Sequence, residues 1–243
     1  TGEIPELGKK TGRPERPILK EEEHMVQEAF DIYNVSASTL ELLIERDFGR
    51  HIPHNHIHRI MVKLGLAKPT SKQVVRKKDW IRYERRHSLT AVHIDWYFYG
   101  RERWWVFAVI DDASRKLLAI VECSSPTVEA SIEGMEAALR HGKIKQCISD
   151  HGTQFIKQEG MSSQFAEFLK EKGIKQILCR IKHPQANGKV EKFFDLYQNK
   201  RHCFNSKEDL MQWYNDVRPH RSLQFKILET PAQAFARKMR AEA

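Results

Sequence analysis

The sequence lacks the features of a membrane protein or a secreted disulfide-rich protein. No apolar run approaches the roughly 20 residues that a helix needs to span a bilayer, no signal peptide opens the chain, and 30% of the 243 residues are charged. The four cysteines, at positions 123, 147, 179 and 203, are widely spaced and form no CxxC pair. This spacing argues against zinc ligation and a disulfide framework. We therefore expect a protein without membrane contacts in a reducing cytoplasm.

Acidic residues are too few to balance the basic ones. The formal net charge is +9 and the sequence pI is near 9.4. Such a balance is typical of proteins that bind polyanions, although a basic surface can also serve solubility alone. The hydrophobic content of 40% is sufficient for a real core. At this length the chain can form one large domain or two modest ones.

Residues 1–18 are rich in Gly, Pro and basic residues and have no apolar periodicity, so we expect a flexible basic arm. Within it, Gly12-Arg13-Pro14 is a pattern that lets an extended chain follow a DNA minor groove. Arg13 is therefore a candidate DNA contact. An ordinary disordered terminus is the alternative interpretation.

Residues 19–66 are predicted to form three helices. The first covers about 20–33, the second follows a cap at Ser36 or Ser38, and the third begins near Pro53 and ends at Gly65. The short connection before the third helix is typical of a helix-turn-helix, whose last helix enters the major groove. A plain three-helix packing module is the alternative. The exposed side of the third helix would offer five candidate DNA contacts, namely Asn55, His56, His58, Arg59 and Lys63.

Residues 67–88 are predicted to be a basic linker, with eight basic residues against two acidic ones. Arg76, Lys77 and Lys78 form its densest run and are candidate contacts to the phosphate backbone. The alternative is a solvated connector.

From residue 89 to residue 243 the pattern changes to short strands alternating with helices. Three β runs at 91–96, 104–110 and 117–121 are separated by turns and predict an antiparallel meander. A helix at 127–141, a strand at 144–149, a helix at 162–172, a strand at 174–179 and a long helix from about 188 follow. This order predicts an α/β fold, a five-stranded mixed sheet with helices on its faces.

Three acidic residues stand on these predicted elements. Asp95 lies on the first strand, Asp150 ends the fourth strand, and Glu191 lies in the first turn of the last long helix, at the edge of its apolar stripe. Each alone is typical of a cap, a turn or a salt bridge. Together they can meet at one rim of the sheet, where carboxylates are costly to bury without a cation. Oxygen ligands favour Mg²⁺ or Mn²⁺.

Several segments resemble a known family. Residues 92–96, 149–155 and 183–192, which contain the three acids, are similar to the integrase core of DDE transposases and retroviral integrases. Residues 214–223 and 230–235 resemble the tail of insertion-sequence transposases. The resemblance covers about 89–237, and residues 13–66 resemble the helix-turn-helix that such enzymes often carry upstream.

The resemblance implies a ribonuclease H-like fold and a DNA transposase that cuts transposon ends and joins the freed 3′-hydroxyl to target DNA. It places Asp95, Asp150 and Glu191 as catalytic ligands of two Mg²⁺ or Mn²⁺ ions. Lys189 and Lys192 flank the glutamate and are candidate DNA contacts. The implied partners are terminal inverted repeats, target DNA and further copies of the chain, as a dimer or higher assembly. A prokaryotic cytoplasm, close to the nucleoid, is the implied location.

The sequence departs from the family pattern in three places. Forty residues separate Asp150 from Glu191, His151 stands where Asn is usual, and Gln198 occupies a position that is often basic. Two other functions stay open: a ribonuclease H-like nuclease or junction resolvase, and an inactive transposase-derived regulator. The predicted DNA-reading helices and the tail favour the transposase over the nuclease, and the three intact acids favour it over the regulator.

Overall fold

A computed structural model describes residues 16–69, 83–150, 155, 163–179 and 187–239. The chain divides into two compact units, Thr1–Val75 and Arg76–Ala243, here called the helical unit and the core unit. Several predicted features lie outside the described residues. They are Arg13 in the arm, Arg76, Lys77 and Lys78 in the linker, and His151 after the second acid.

The helical unit contains α1 (Lys20–Tyr33), α2 (Ala37–Phe48) and α3 (His54–Lys63), close to the predicted bounds. The first helix ends at Asn34 and the second at Gly49, both in the left-handed conformation that stops a helix. The three helices enclose a small apolar core with residues at helical spacing, including Val26, Leu40, Ile44, Ile57 and Ile60. The prediction of a small all-α region before the sheet is confirmed.

The core unit is built on five strands: β1 (Val92–Tyr99), β2 (Trp104–Asp111), β3 (Leu117–Cys123), β4 (Gln146–Ser149) and β5 (Lys175–Leu178). They lie in the order β3-β2-β1-β4-β5. The first three form an antiparallel meander, and β4 and β5 continue the sheet in parallel with β1. The longer helices of this unit are α4 (Val128–Leu139), α5 (Gln164–Glu171), α6 (Gly188–Lys200), α7 (Lys207–Gln212) and α8 (Pro231–Lys238).

The helices pack closely on the sheet. At Gly134 of α4, a Cβ atom would lie 2.5 Å from the ring of Phe107 on β2, so only glycine allows this approach. Helix α6 buries the predicted stripe of Val190, Phe193, Phe194 and Tyr197. The predicted α/β fold, a ribonuclease H-like mixed sheet with flanking helices, is confirmed.

The tail contacts the edge strand β3. After α7, a π-helical turn at Trp213–Val217 places Asn215 against the first residue of β3. The Asn215 side chain accepts from the Leu117 N–H and donates to the Leu117 carbonyl, both at 2.9 Å. This pairing satisfies backbone groups that an edge strand would otherwise expose. Among the residues that the structure describes, no helix is long and apolar enough to cross a membrane.

Candidate active site

The register between two parallel strands brings two of the predicted acids together. Val92 pairs with Cys147 and His93 pairs with Ile148 across β1 and β4. Continuing this register by two positions sets Asp95 level with Asp150, which follows the last residue of β4. Neighbouring strands lie about 4.8 Å apart. The two carboxylates therefore belong to one end of the sheet.

Asn187, the residue before α6, connects the third acid to this place. Its Nδ2 donates to Asp95 Oδ2 at 3.1 Å and to the Ile94 carbonyl at 3.2 Å. Its own carbonyl accepts from the N–H of Glu191 at 3.3 Å. Glu191 is thus one helical turn away from a side chain that touches Asp95. Asn187 is 5% exposed, so this junction between β1 and α6 is buried.

The charges of Asp150 and Glu191 act on the protonation of Asp95. Burial first, and then the charges of Asp150 and Glu191, raise the pKa of Asp95 to about 7, while hydrogen bonds from the Trp96 backbone and from Asn187 act in the opposite direction. Repulsion of this kind requires that the carboxylates lie near one another.

A cysteine lies within the same electrostatic neighbourhood. Burial, followed by the charges of Asp150, Asp95 and Glu191, raises the pKa of the Cys179 thiol to about 11. Its N–H donates to the Ser149 carbonyl at 2.9 Å, next to the end of β5. The sequence showed Cys179 only as a strand residue, because its neighbours across the sheet are distant in the chain.

The donor set fits a hard divalent cation by its chemistry. Three carboxylates supply only oxygen ligands. A bound cation would offset the electrostatic repulsion between them. Within the described parts of the chain, no three His, Cys, Asp or Glu side chains stand close enough together to hold a metal ion. The backbone positions of Asp95, Asp150 and Glu191 converge at one end of the sheet, but their side chains are not gathered into a group of metal ligands.

A buried polar cluster lies beside these acids, and its members were not singled out as a cluster from the sequence. Asp112, just after β2, and His93 on β1 are both fully buried, and His93 Nε2 lies 2.8 Å from Asp112 Oδ1. The Lys189 ammonium donates to the same carboxylate and stands 4.5 Å from the centre of the Tyr83 ring. The expectation that Lys189 faces DNA is thereby corrected. It lies four residues before the buried Phe193, so helical periodicity turns it inward.

The helical unit also requires one correction among the predicted DNA contacts. His56 is 6% exposed, and its Nε2 lies 2.9 Å from Oε2 of the fully buried Glu22. It does not lie on the exposed side of α3 as predicted. His56 precedes the buried Ile60 by four residues, a spacing that already indicated the inner face.

The other predicted contacts on α3 have varied surroundings. Asn55 is exposed, and His58 and Arg59 are half-buried. Arg59 donates to the Arg16 carbonyl at 3.1 Å, and the exposed Lys63 forms an ion pair with Glu23. These side chains remain predicted DNA contacts.

On α6, the two remaining positions of interest face outward. Lys192 is 82% exposed and pairs with Asp195 at 2.8 Å. Gln198, where relatives often have a basic residue, accepts a hydrogen bond at 2.8 Å from the hydroxyl of Tyr97 on β1. The uncharged Gln198 side chain is therefore held by a hydrogen bond from Tyr97.

Comparison with known proteins finds a family match within the core unit. Residues 85–184 match the integrase core domain family, a range that contains Asp95 and Asp150 and ends before Glu191. A protein named as an integrase, ORF3 of Spiroplasma virus SpV1-C74, is 27% identical over 147 residues, which are 51% of this chain and 40% of that protein. The chain thus corresponds to less than half the length of that relative.

A solved structure is also similar. The crystal structure of the catalytic core domain of BIV integrase has a TM-score of 0.48 and 13% sequence identity, over 61% of this chain and 94% of that chain. The predicted resemblance is confirmed for this part of the chain, because residues 85–184 match the integrase core domain family.

Proposed function

We propose that the chain is a DNA transposase whose core unit cuts transposon ends and joins the 3′-hydroxyl to target DNA. One observation carries this proposal. The β1–β4 register and the Asn187 side chain bring Asp95, Asp150 and the first turn of α6, with Glu191, to one end of the sheet. Asp95 and Asp150 lie within the matched integrase core domain, which supports polynucleotidyl transfer as the reaction of this site.

Each residue has a defined part in this proposal. Asp95, Asp150 and Glu191 would hold two Mg²⁺ or Mn²⁺ ions. When bound, such ions activate the attacking hydroxyl or water and stabilise the leaving oxygen. Asn187 holds one oxygen of Asp95 by its amide and starts the helix that carries Glu191. The chain's task is to keep these carboxylates in place while DNA enters.

The helical unit is proposed to read the transposon ends. Its α3 follows α2 after a short connection, and Asn55, His58 and Arg59 lie along α3 with partial or full exposure. Terminal inverted repeats are the proposed ligand, and the net charge of +9 favours binding to the phosphate backbone. Because two ends must be joined in one reaction, the working form is proposed to be a dimer or a higher assembly.

Strand transfer with purified full-length chain tests the catalytic assignment. The substrate is duplex DNA carrying the inverted repeats expected at the ends of the proposed transposon. We expect Asp95→Asn, Asp150→Asn and Glu191→Gln each to reduce the rate on the order of 1,000-fold, about 4 kcal/mol of transition-state stabilisation. Glu136→Gln, at an exposed site on α4, is the matched control and should retain the rate. Full activity in the three site variants would refute the assignment.

The choice of substrate separates the proposal from its alternatives. The same protein is offered terminal-repeat duplexes, RNA–DNA hybrids and four-way junctions with Mn²⁺. A transposase cuts the terminal repeats and transfers the strand. Preference for hybrids or junctions would instead indicate a nuclease or resolvase, and binding of terminal repeats without any cleavage would indicate a regulator.

A further inference from the structure

We propose that Asp112 is a positioning residue for the candidate active site, acting through His93, Lys189 and Asn187. This inference rests on the proposed function, since it concerns how the same acids are held. Asp112 touches none of the three acids. Its carboxylate is connected to Asp95 by a continuous series of hydrogen-bond contacts through His93 and Asn187, and to the start of α6 by an ion pair.

The first connection runs across the sheet. His93 Nε2 lies 2.8 Å from Asp112 Oδ1, and His93 Nδ1 lies 3.3 Å from Asn187 Oδ1. Asn187 Nδ2 donates to Asp95 Oδ2 and to the Ile94 carbonyl, and these two hydrogen bonds fix the orientation of the amide. The His93 ring therefore stands between the Asp112 carboxylate and the amide that holds Asp95. Because Asp112 and His93 are fully buried, water cannot replace either partner without rearrangement.

The second connection fixes the helix. Lys189 lies in the first turn of α6, two residues before Glu191, and its ammonium donates to Asp112 Oδ1 and, at 3.4 Å, to the Asp112 carbonyl. One carboxylate thus acts on the residue that precedes α6 through His93, and on the turn that carries Glu191 through Lys189. Asp112 therefore fixes the position of α6 relative to β1 at the point where the two elements carry Glu191 and Asp95.

The neighbouring Asp111 shows what a purely structural carboxylate looks like in the same turn. It is also fully buried, but its partners are the Leu89 N–H at 2.8 Å and the N–H and hydroxyl of Ser114 at 2.8 and 2.6 Å. None of these partners contacts Asn187 or the three acids in the described structure. Asp111 therefore provides a control matched in burial, residue type and location.

Replacing the Asp112 charge should loosen the site without removing a ligand. Asp112→Asn keeps the size of the side chain but weakens its hold on Lys189 and His93, so Asn187 and α6 gain freedom. Loss of a partner that orients metal ligands typically costs about 10- to 100-fold in metal affinity or activity. The effect should appear mainly as a weaker response to metal.

The test uses the full chain and reads the site in two ways. Mn²⁺ binding is measured by calorimetry, and the Mn²⁺ concentration for half-maximal strand transfer is measured alongside. For Asp112→Asn we expect both to shift by about 10- to 100-fold, with partial recovery of the rate at high Mn²⁺. Asp111→Asn should leave both unchanged. Equal shifts in the two variants, or no shift in Asp112→Asn, would overturn the inference.

A metal-free readout keeps the inference separate from the proposed function. The side-chain amide resonances of Asn187, followed by NMR without metal or DNA, should move or broaden in Asp112→Asn and stay in place in Asp111→Asn. If they respond as expected while the wild-type chain neither binds Mn²⁺ nor transfers strands, the proposed function fails and the coupling stands. If they do not respond, the inference fails whatever the activity.

A second variant guards against loss of folding. Lys189→Met retains the aliphatic stem and removes only the ion pair, so we expect a smaller shift in the same direction as Asp112→Asn. A double-mutant cycle with Asn187→Ala completes the test. Because Asp112 acts partly through Asn187, the two changes should be less than additive in Mn²⁺ affinity. Strict additivity would contradict a pathway through Asn187.

Discussion

The helical unit and the core unit each enclose a fully buried acidic side chain, Glu22 and Asp112 respectively. The contacts of these two side chains lead to different parts of the molecule. Glu22 in α1 meets His56 and the partly exposed Arg16 and Arg50, so its contacts end at the surface. Asp112 in the core unit meets His93 and Lys189, and its contacts continue to the acids of the candidate active site. A buried carboxylate requires cationic or N–H partners. In each unit one of these partners, His56 on α3 or Lys189 on α6, comes from a helix to which the sequence assigned a role in DNA binding.

The largest expected effect is on the helical unit. Glu22→Ala leaves His56 buried without its acidic partner, and removing one member of a buried pair typically costs about 3–5 kcal/mol in the free energy of unfolding. We expect hydrogen exchange in α1 and α3 to accelerate accordingly, while Mn²⁺ binding by the core unit is unchanged. Glu21→Ala is the control, because Glu21 is 77% exposed in its contact with Arg50 and should change stability by less than about 0.5 kcal/mol.

The next prediction sharpens the comparison within the core unit, where two adjacent carboxylates should respond to pH in opposite directions. Burial raises the pKa of Asp111 above its ordinary value of 3.8, because its hydrogen-bond partners are neutral. For Asp112, burial acts in the same direction, but hydrogen bonds from His93 and Lys189 hold the pKa well below 3.8. The hydrogen bonds from His93 and Lys189 and the charge of Lys189 therefore decide the sign of the shift.

The consequences for stability follow from linkage. A depressed folded pKa means that Asp112 contributes stability above about pH 4 and loses that contribution as the pH falls through its folded pKa. The advantage of wild type over Asp112→Asn should therefore shrink on acidification. The raised pKa of Asp111 means that its ionised form costs stability, so the advantage over Asp111→Asn should grow on acidification. Denaturant unfolding at several pH values without metal measures the stability difference between wild type and each variant. If the two differences change with pH in the same direction, the predicted opposite behaviour of Asp111 and Asp112 is wrong.

Much of this arrangement could be predicted from the sequence, because it depends on local patterns. Apolar periodicity placed the helices and strands. Asp95 and Asp150 were visible because they interrupt or end apolar runs, and Glu191 because it lies at the edge of an apolar helix stripe. The contacts that organise the site are not local: Asn187 meets Asp95 across 92 positions of the chain, and Asp112 meets Lys189 across 77. No pattern in the sequence joins such residues.

Two errors in the sequence interpretation have a shared physical cause. His56 and Lys189 were assigned to DNA because they are polar residues on helices with proposed roles. Each lies four residues before a buried apolar residue, Ile60 or Phe193, and so belongs to the inner face of its helix. A polar residue at such a position indicates a buried partner, here Glu22 or Asp112, before it indicates a ligand.

The smallest expected effect on stability is at Lys192, three residues after Lys189 on the same helix. Its pair with Asp195 is exposed on both sides, so Lys192→Ala should change the free energy of unfolding by less than about 0.5 kcal/mol. If Lys192 contacts a phosphate, the variant should bind all duplexes more weakly and reduce the salt slope of binding by about 1. Fluorescence anisotropy at several salt concentrations measures both, with Lys226→Ala, another exposed lysine of the core unit, as control. If the salt slope of DNA binding is unchanged in Lys192→Ala, Lys192 does not contact a phosphate. If the variant loses as much stability as expected for a buried lysine, Lys192 has a structural role like that of Lys189.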